Sequence, residues 1–122
     1  MFPYADYDFY VDRAHGKLDQ EAFEGYVLKA SFFLRYITIG KTDRVEREEV
    51  SHAACAIADM YAEEKKKKTA DKKSENNDGY SVSYIAERKD GESMEDFLSR
   101  KAMQIARRYL LTTGLLNRKV DV

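Results

Sequence analysis

In the stretch SMEDFLSRKAMQIARRYLLTTG, residues 93–114, Ser93 to Leu111 reads as one amphipathic helix with both of its ends marked. Ser93 is a capping residue, and Asp96 follows three positions on, where a capping box puts its acid. Phe97, Leu98, Met103, Ile105, Ala106, Tyr109 and Leu110 form the apolar stripe. Gly114 stands where a left-handed C-cap belongs. A helix with one apolar stripe must lay it on other elements, so the rest of the chain has to supply a helical partner surface.

Upstream segments supply it. Asp19 is an N-cap candidate for a helix whose apolar residues fall at Ala22, Phe23, Tyr26, Val27, Ala30, Phe33, Leu34 and Ile37, with Gly40 ending it. Full burial of each large member contributes roughly 1.5–3 kcal/mol, so this helix is a principal wall of the core. A further helix is expected from near Asp43 to about Lys66. Its stripe is Val50, Ala53, Ala54, Ile57, Ala58 and Tyr61, and its solvated side holds Arg44, Glu48, Glu49, Glu63 and Glu64. The alanines on that stripe leave room for a close neighbour. At the start, Asp6 caps a short helix through Ala14, anchored by Tyr7, Phe9 and Tyr10 and stopped by Gly16.

Between the third and last helices the pattern changes. Residues 65–79 hold no large apolar side chain and include Asn76-Asn77-Asp78-Gly79, the signature of a flexible polar loop. Tyr80, Val82 and Tyr84 then alternate with Ser81 and Ser83, a period-two strand. One strand cannot satisfy its own backbone groups. It pairs with residues 87–89, with the tail at 118–122 or with another chain by strand addition, or it lies extended across the helices. The expected fold is mainly α: a small helical bundle of about four helices with a short β strand or hairpin before the last. Residues 1–122 make a single domain, with 117–122 as a C-terminal tail.

Composition limits the function classes. With 122 residues, 21 basic and 22 acidic side chains, the chain is near neutral, so bulk charge favours neither nucleic acid nor membrane. The single cysteine, Cys55, fits a reducing cytosol and reads as a buried, inert thiol among alanines. No apolar run approaches the roughly 20 residues of a membrane span. His15 and His52, the two histidines, have no further ligands at metal spacing. Phosphate loops, nucleophile elbows and zinc-protease motifs are absent, so neither an enzyme, a cofactor nor a metal is expected. The lysines of residues 63–75 are opposed by Glu63, Glu64, Asp71 and Glu75, leaving a net of only +2 and no aromatic stacking platform.

The charge is uneven along the chain. Residues 1–30 carry Asp6, Asp8, Asp12, Asp19, Glu21 and Glu24 against Arg13, Lys17 and Lys29, a net of −3. Residues 97–122 carry Arg100, Lys101, Arg107, Arg108, Arg118 and Lys119 against Asp121, a net of +5. An acidic start and a basic end suit head-to-tail association of copies. Arg107 and Arg108 are the pair placed to meet a neighbour's acidic segment.

Taken in order, these pieces resemble the head–tail connector (adaptor) proteins of tailed bacteriophages, of the kind carried by prophages of Gram-positive bacteria. The resemblance runs from Tyr4-Ala-Asp-Tyr-Asp-Phe-Tyr10 through Arg35-Tyr-Ile-Thr-Ile-Gly40 and Ala53-Ala-Cys-Ala-Ile-Ala58. It continues with Ser81-Val-Ser-Tyr84, Ala106-Arg-Arg-Tyr-Leu110 and Thr113-Gly-Leu-Leu116. It covers nearly the whole chain, and its specificity lies in the order of the pieces. It implies a structural part that assembles as a ring, commonly twelvefold, beneath the portal protein. Such a ring extends the channel for genome DNA without sequence-specific binding and receives stopper or tail-completion proteins. The implied location is the virion, after assembly in the host bacterial cytoplasm. Candidate interaction residues are Tyr80, Val82 and Tyr84 on the strand, Arg107 and Arg108 on the last helix, and Arg118 and Lys119 in the tail. The competing expectation is a small helical nucleic-acid-binding regulator that uses the lysine-rich loop.

Overall fold

The computed structural model describes residues 2–73 and 92–116, with the side chains of 68–73 outside that description. Among these residues the regular structure is helical, and no strand occurs. The expected strand at Tyr80, Val82 and Tyr84, and the tail with Arg118 and Lys119, lie outside the described residues.

Helix α1, Tyr7–Asp12, starts at Asp6, whose carboxylate accepts the Phe9 N–H at 2.8 Å. It ends two residues before the expected Ala14, because the Arg13 and Ala14 N–H groups both turn onto the Phe9 carbonyl. Helix α2, Gln20–Ile37, begins at Asp19, which accepts the Ala22 N–H at 2.8 Å. Phe23, Val27, Ala30 and Leu34 form its buried row. Its exit is sharp. Ile39 and Gly40 both adopt left-handed backbone, at φ 55° and 76°.

A 3-10 turn, Lys41–Arg44, follows before helix α3, Glu48–Lys73. Two expectations are corrected here. Asp43 lies in the 3-10 turn, and α3 starts at Glu48 instead. The segment 65–73, expected as the start of a flexible loop, is helical through Lys73. Lysine, glutamate and alanine are good helix formers, so helix propagates past the point where apolar contacts stop. Helix α4, Met94–Leu110, begins at Ser93, whose hydroxyl accepts the Asp96 N–H at 3.1 Å. A second 3-10 turn, Leu111–Thr113, closes on Gly114 at φ 79° and folds Leu115 back into the core.

Helix α3 is the centre of the bundle. It packs along both α2 and α4, while α2 and α4 touch only marginally. Its sequence shows why: Val50, Ala53, Ala54, Cys55, Ile57, Ala58, Met60 and Tyr61 are all buried, so α3 is apolar over most of its circumference. Ala102 and Ala106 answer it from α4, and small residues on both helices let their axes run close. Tyr109, expected on the buried stripe of α4, is instead partly exposed, because the packed row runs through Ala102, Ala106 and Leu110.

Glu64, expected on a solvated face, is 3 % exposed. It sits on the same row as Ile57 and Tyr61, and its charge is met rather than hydrated. Lys101 of α4 donates to its Oε1 at 2.7 Å and Lys67 at 3.4 Å. The other oxygen, Oε2, has no hydrogen-bond partner among the described residues.

Candidate interaction surfaces

The N-terminal segment is a strap across α2 and α3. The Tyr4 N–H donates to Ser31 of α2 at 3.0 Å, and Ser51 of α3 donates to the Tyr4 carbonyl at 2.6 Å. The Tyr4 hydroxyl donates to Asp43 at 2.6 Å and accepts from Thr42 at 2.7 Å. Arg35 grips the same carboxylate, with Nε 2.9 Å from Asp43 Oδ2, and lies over the Phe2 ring. Hydrogen bonds from Tyr4 and Arg35 hold the Asp43 carboxyl below the usual range, while burial and the bond to Asp43 push the Tyr4 phenol up. This cluster is internally satisfied and acts as a brace. Tyr4→Phe is expected to destabilise the fold by about 1–2 kcal/mol in chemical denaturation, because Thr42 loses its buried acceptor and Asp43 a donor.

A second buried cluster centres on Tyr10. Its ring stacks on Phe23 with centroids 4.2 Å apart. Its hydroxyl donates to Asp59 at 2.6 Å and accepts the Lys17 and Leu18 N–H groups at 3.1 and 3.0 Å. That uses all the hydrogen-bonding capacity a phenol has. Burial, together with the bond to Asp59, pushes Tyr10 up to about 12. Burial also raises the Asp59 carboxyl and, aided by the charge of Asp59, lifts the Cys55 thiol to about 12. A thiol so protonated is a poor nucleophile, in keeping with the inert reading of Cys55. Among the described residues no three His, Cys, Asp or Glu side chains converge on a common point. His52 instead packs its ring against Phe9 and Tyr109.

Outward-facing features are therefore the ones to read for function. On α2, the face turned away from α3 carries Leu28, Phe32 and Tyr36 at successive four-residue steps, 42, 52 and 82 % exposed. Ile39 extends the row past the helix end at 52 % exposed. A β-branched residue held in left-handed backbone costs of order 1–3 kcal/mol, and here its side chain stays half exposed. Contiguous exposed apolar surface is what protein contacts draw on, whereas scattered single residues are ordinary. Its sequence signal was present: Leu28, Phe32 and Tyr36 form a second apolar row at helical spacing, opposite the one that faces the core.

On α4, Arg107 and Arg108 are exposed, and neither has an ion-pair partner among the described residues. Leu111, one turn on, is 70 % exposed. The apolar row and the arginine pair thus stand on two helices that both pack along α3 and touch each other only marginally.

Neither a protein-family model, nor a curated protein, nor a solved structure matches this chain. The surfaces are thus read on their own chemistry. Among the described residues no helix is long and apolar enough to cross a membrane.

Proposed function

We propose that this chain is a structural head–tail connector, a non-enzymatic adaptor that forms a ring on a bacteriophage portal. In that role it extends the DNA channel and offers a platform to stopper or tail-completion proteins. Its place is the virion's head–tail interface, reached by assembly in the host bacterial cytoplasm. The observation that carries the reading is the pair of unlike exposed surfaces, an apolar row on α2 and an arginine pair on α4, on helices of a small bundle that touch each other only marginally. A module with two unlike faces associates head to tail, and such contacts close into rings when the rotation per copy allows. The resemblance in the order of sequence pieces supplies the identity of the neighbours. A channel lining that lets DNA slide must also avoid tight phosphate binding, which suits the near-balanced charge of residues 63–75.

The test is to incubate the chain with the portal ring from the same genome and to image the mixture by electron microscopy. A ring of this protein stacked on the portal is the expected result. Arg107→Glu with Arg108→Glu is expected to abolish that ring while leaving helical circular dichroism unchanged. No stacking by the folded wild-type chain would overturn the reading. Salt-dependent binding to short duplexes in its place would favour a nucleic-acid-binding regulator working through the lysines of α3.

A further inference from the structure

We infer that the outer face of α2 is the seat for the C-terminal end of α4 from a second copy of this chain. The inference rests on the ring reading and specifies the contact within it.

The two faces match in both chemistry and spacing. On α2, Glu21 and Glu24 are exposed in the first turns, and Leu28 stands four residues beyond Glu24. On α4, Arg107 is exposed and Leu111 stands four residues beyond it. Four residues are about 6 Å along a helix, so one parallel alignment sets Arg107 on Glu24 and Leu111 on Leu28 together. Phe32 continues the apolar seat under the 3-10 turn at Leu111. Among the described residues Glu24 is engaged by Gln20, at 3.2 Å on an exposed surface, a bond easily exchanged for an arginine.

A second copy fits better than either alternative occupant. The contact is not made within the chain: Leu28 and Leu111 are exposed, and Arg107 has no ion-pair partner among the described residues. A symmetric pairing of α2 with α2 would bury the apolar row but leave Arg107 without an acid. Burying that row between copies supplies the apolar part of the contact, and the Arg107–Glu24 pair fixes its register and direction.

Cysteine cross-linking separates these cases, since Cys55 is buried and its thiol, pushed up to about 12, gives little background. Chains carrying Leu28→Cys and chains carrying Leu111→Cys are oxidised separately and as a mixture, at about millimolar concentration and again with the portal ring present. The expected result is a disulfide dimer in the mixture alone. Cross-linking of Leu28→Cys with itself would overturn the inference in favour of symmetric pairing. No cross-link in the mixture would overturn it as well. If rings still stack on the portal, only this contact falls and the connector reading stands. A mixed cross-link without portal binding would keep the contact and remove the connector reading. Phe32→Glu is expected to weaken self-association at least about tenfold by sedimentation, as a charge placed in an apolar seat should.

Discussion

Gly16→Ala is expected to destabilise the fold by about 3 kcal/mol, at the upper end of what overpacking a core costs. A Cβ on Gly16 would fall inside the ring of Tyr10, with three ring carbons as its nearest atoms. The ring cannot move aside. It is fully buried, stacked on Phe23, and held at its hydroxyl by Asp59 and two backbone N–H groups. Gly16 has no left-handed backbone, so the effect would be purely one of space. Gly25→Ala is the matched control. Nothing lies within 4 Å of a Cβ there, and the residue is inside α2. That substitution should stabilise the chain by about 0.5–1 kcal/mol through helix propensity. Urea denaturation of both variants checks the pair, and similar midpoints for the two would show that Tyr10 is not fixed as described.

Lys101→Met should have the next largest effect, a loss of about 3 kcal/mol, because it strips the shorter of two ion contacts from a buried carboxylate. Glu64 keeps Lys67 at 3.4 Å, and Oε2 stays without a partner among the described residues. The double variant Glu64→Leu with Lys101→Met should recover most of that loss, since an apolar pair of similar volume often matches or exceeds a buried ion pair. A double-mutant cycle in denaturant measures the coupling directly. If both single variants lie within about 0.5 kcal/mol of wild type, Glu64 is solvated in solution and the contact to α4 contributes little.

How much of this could be read from the sequence depends on how local each signal is. The caps at Asp6, Asp19 and Ser93 and the inner row of α2 are local patterns, and each sits where the spacing puts it. The alanine row of α3 was equally plain. Burial of Glu64 was legible in position, on the row of Ile57 and Tyr61, but its charge argued for the opposite face. The partner that reverses the argument, Lys101, is 37 residues away. Ser31, Thr38 and Thr42 are buried for a similar reason: Tyr4 and neighbouring hydroxyls satisfy them. The lysine run misled because a lack of apolar residues argues against burial, not against helix. Of the candidate interaction residues, only Arg107 and Arg108 fall within the described part of the chain. The outer row of α2 was overlooked because one stripe already explained the helix.

The central position of α3 constrains how such a chain can change over evolutionary time. Substitutions on its rim can be absorbed one at a time, but a change of length cannot. One residue inserted between Val50 and Tyr61 would turn every later side chain by about 100° about the axis. The faces meeting α2 and α4 would then fall out of step with each other. Drift in length is therefore expected to collect outside the packed stretches of α2, α3 and α4, in the connections between them.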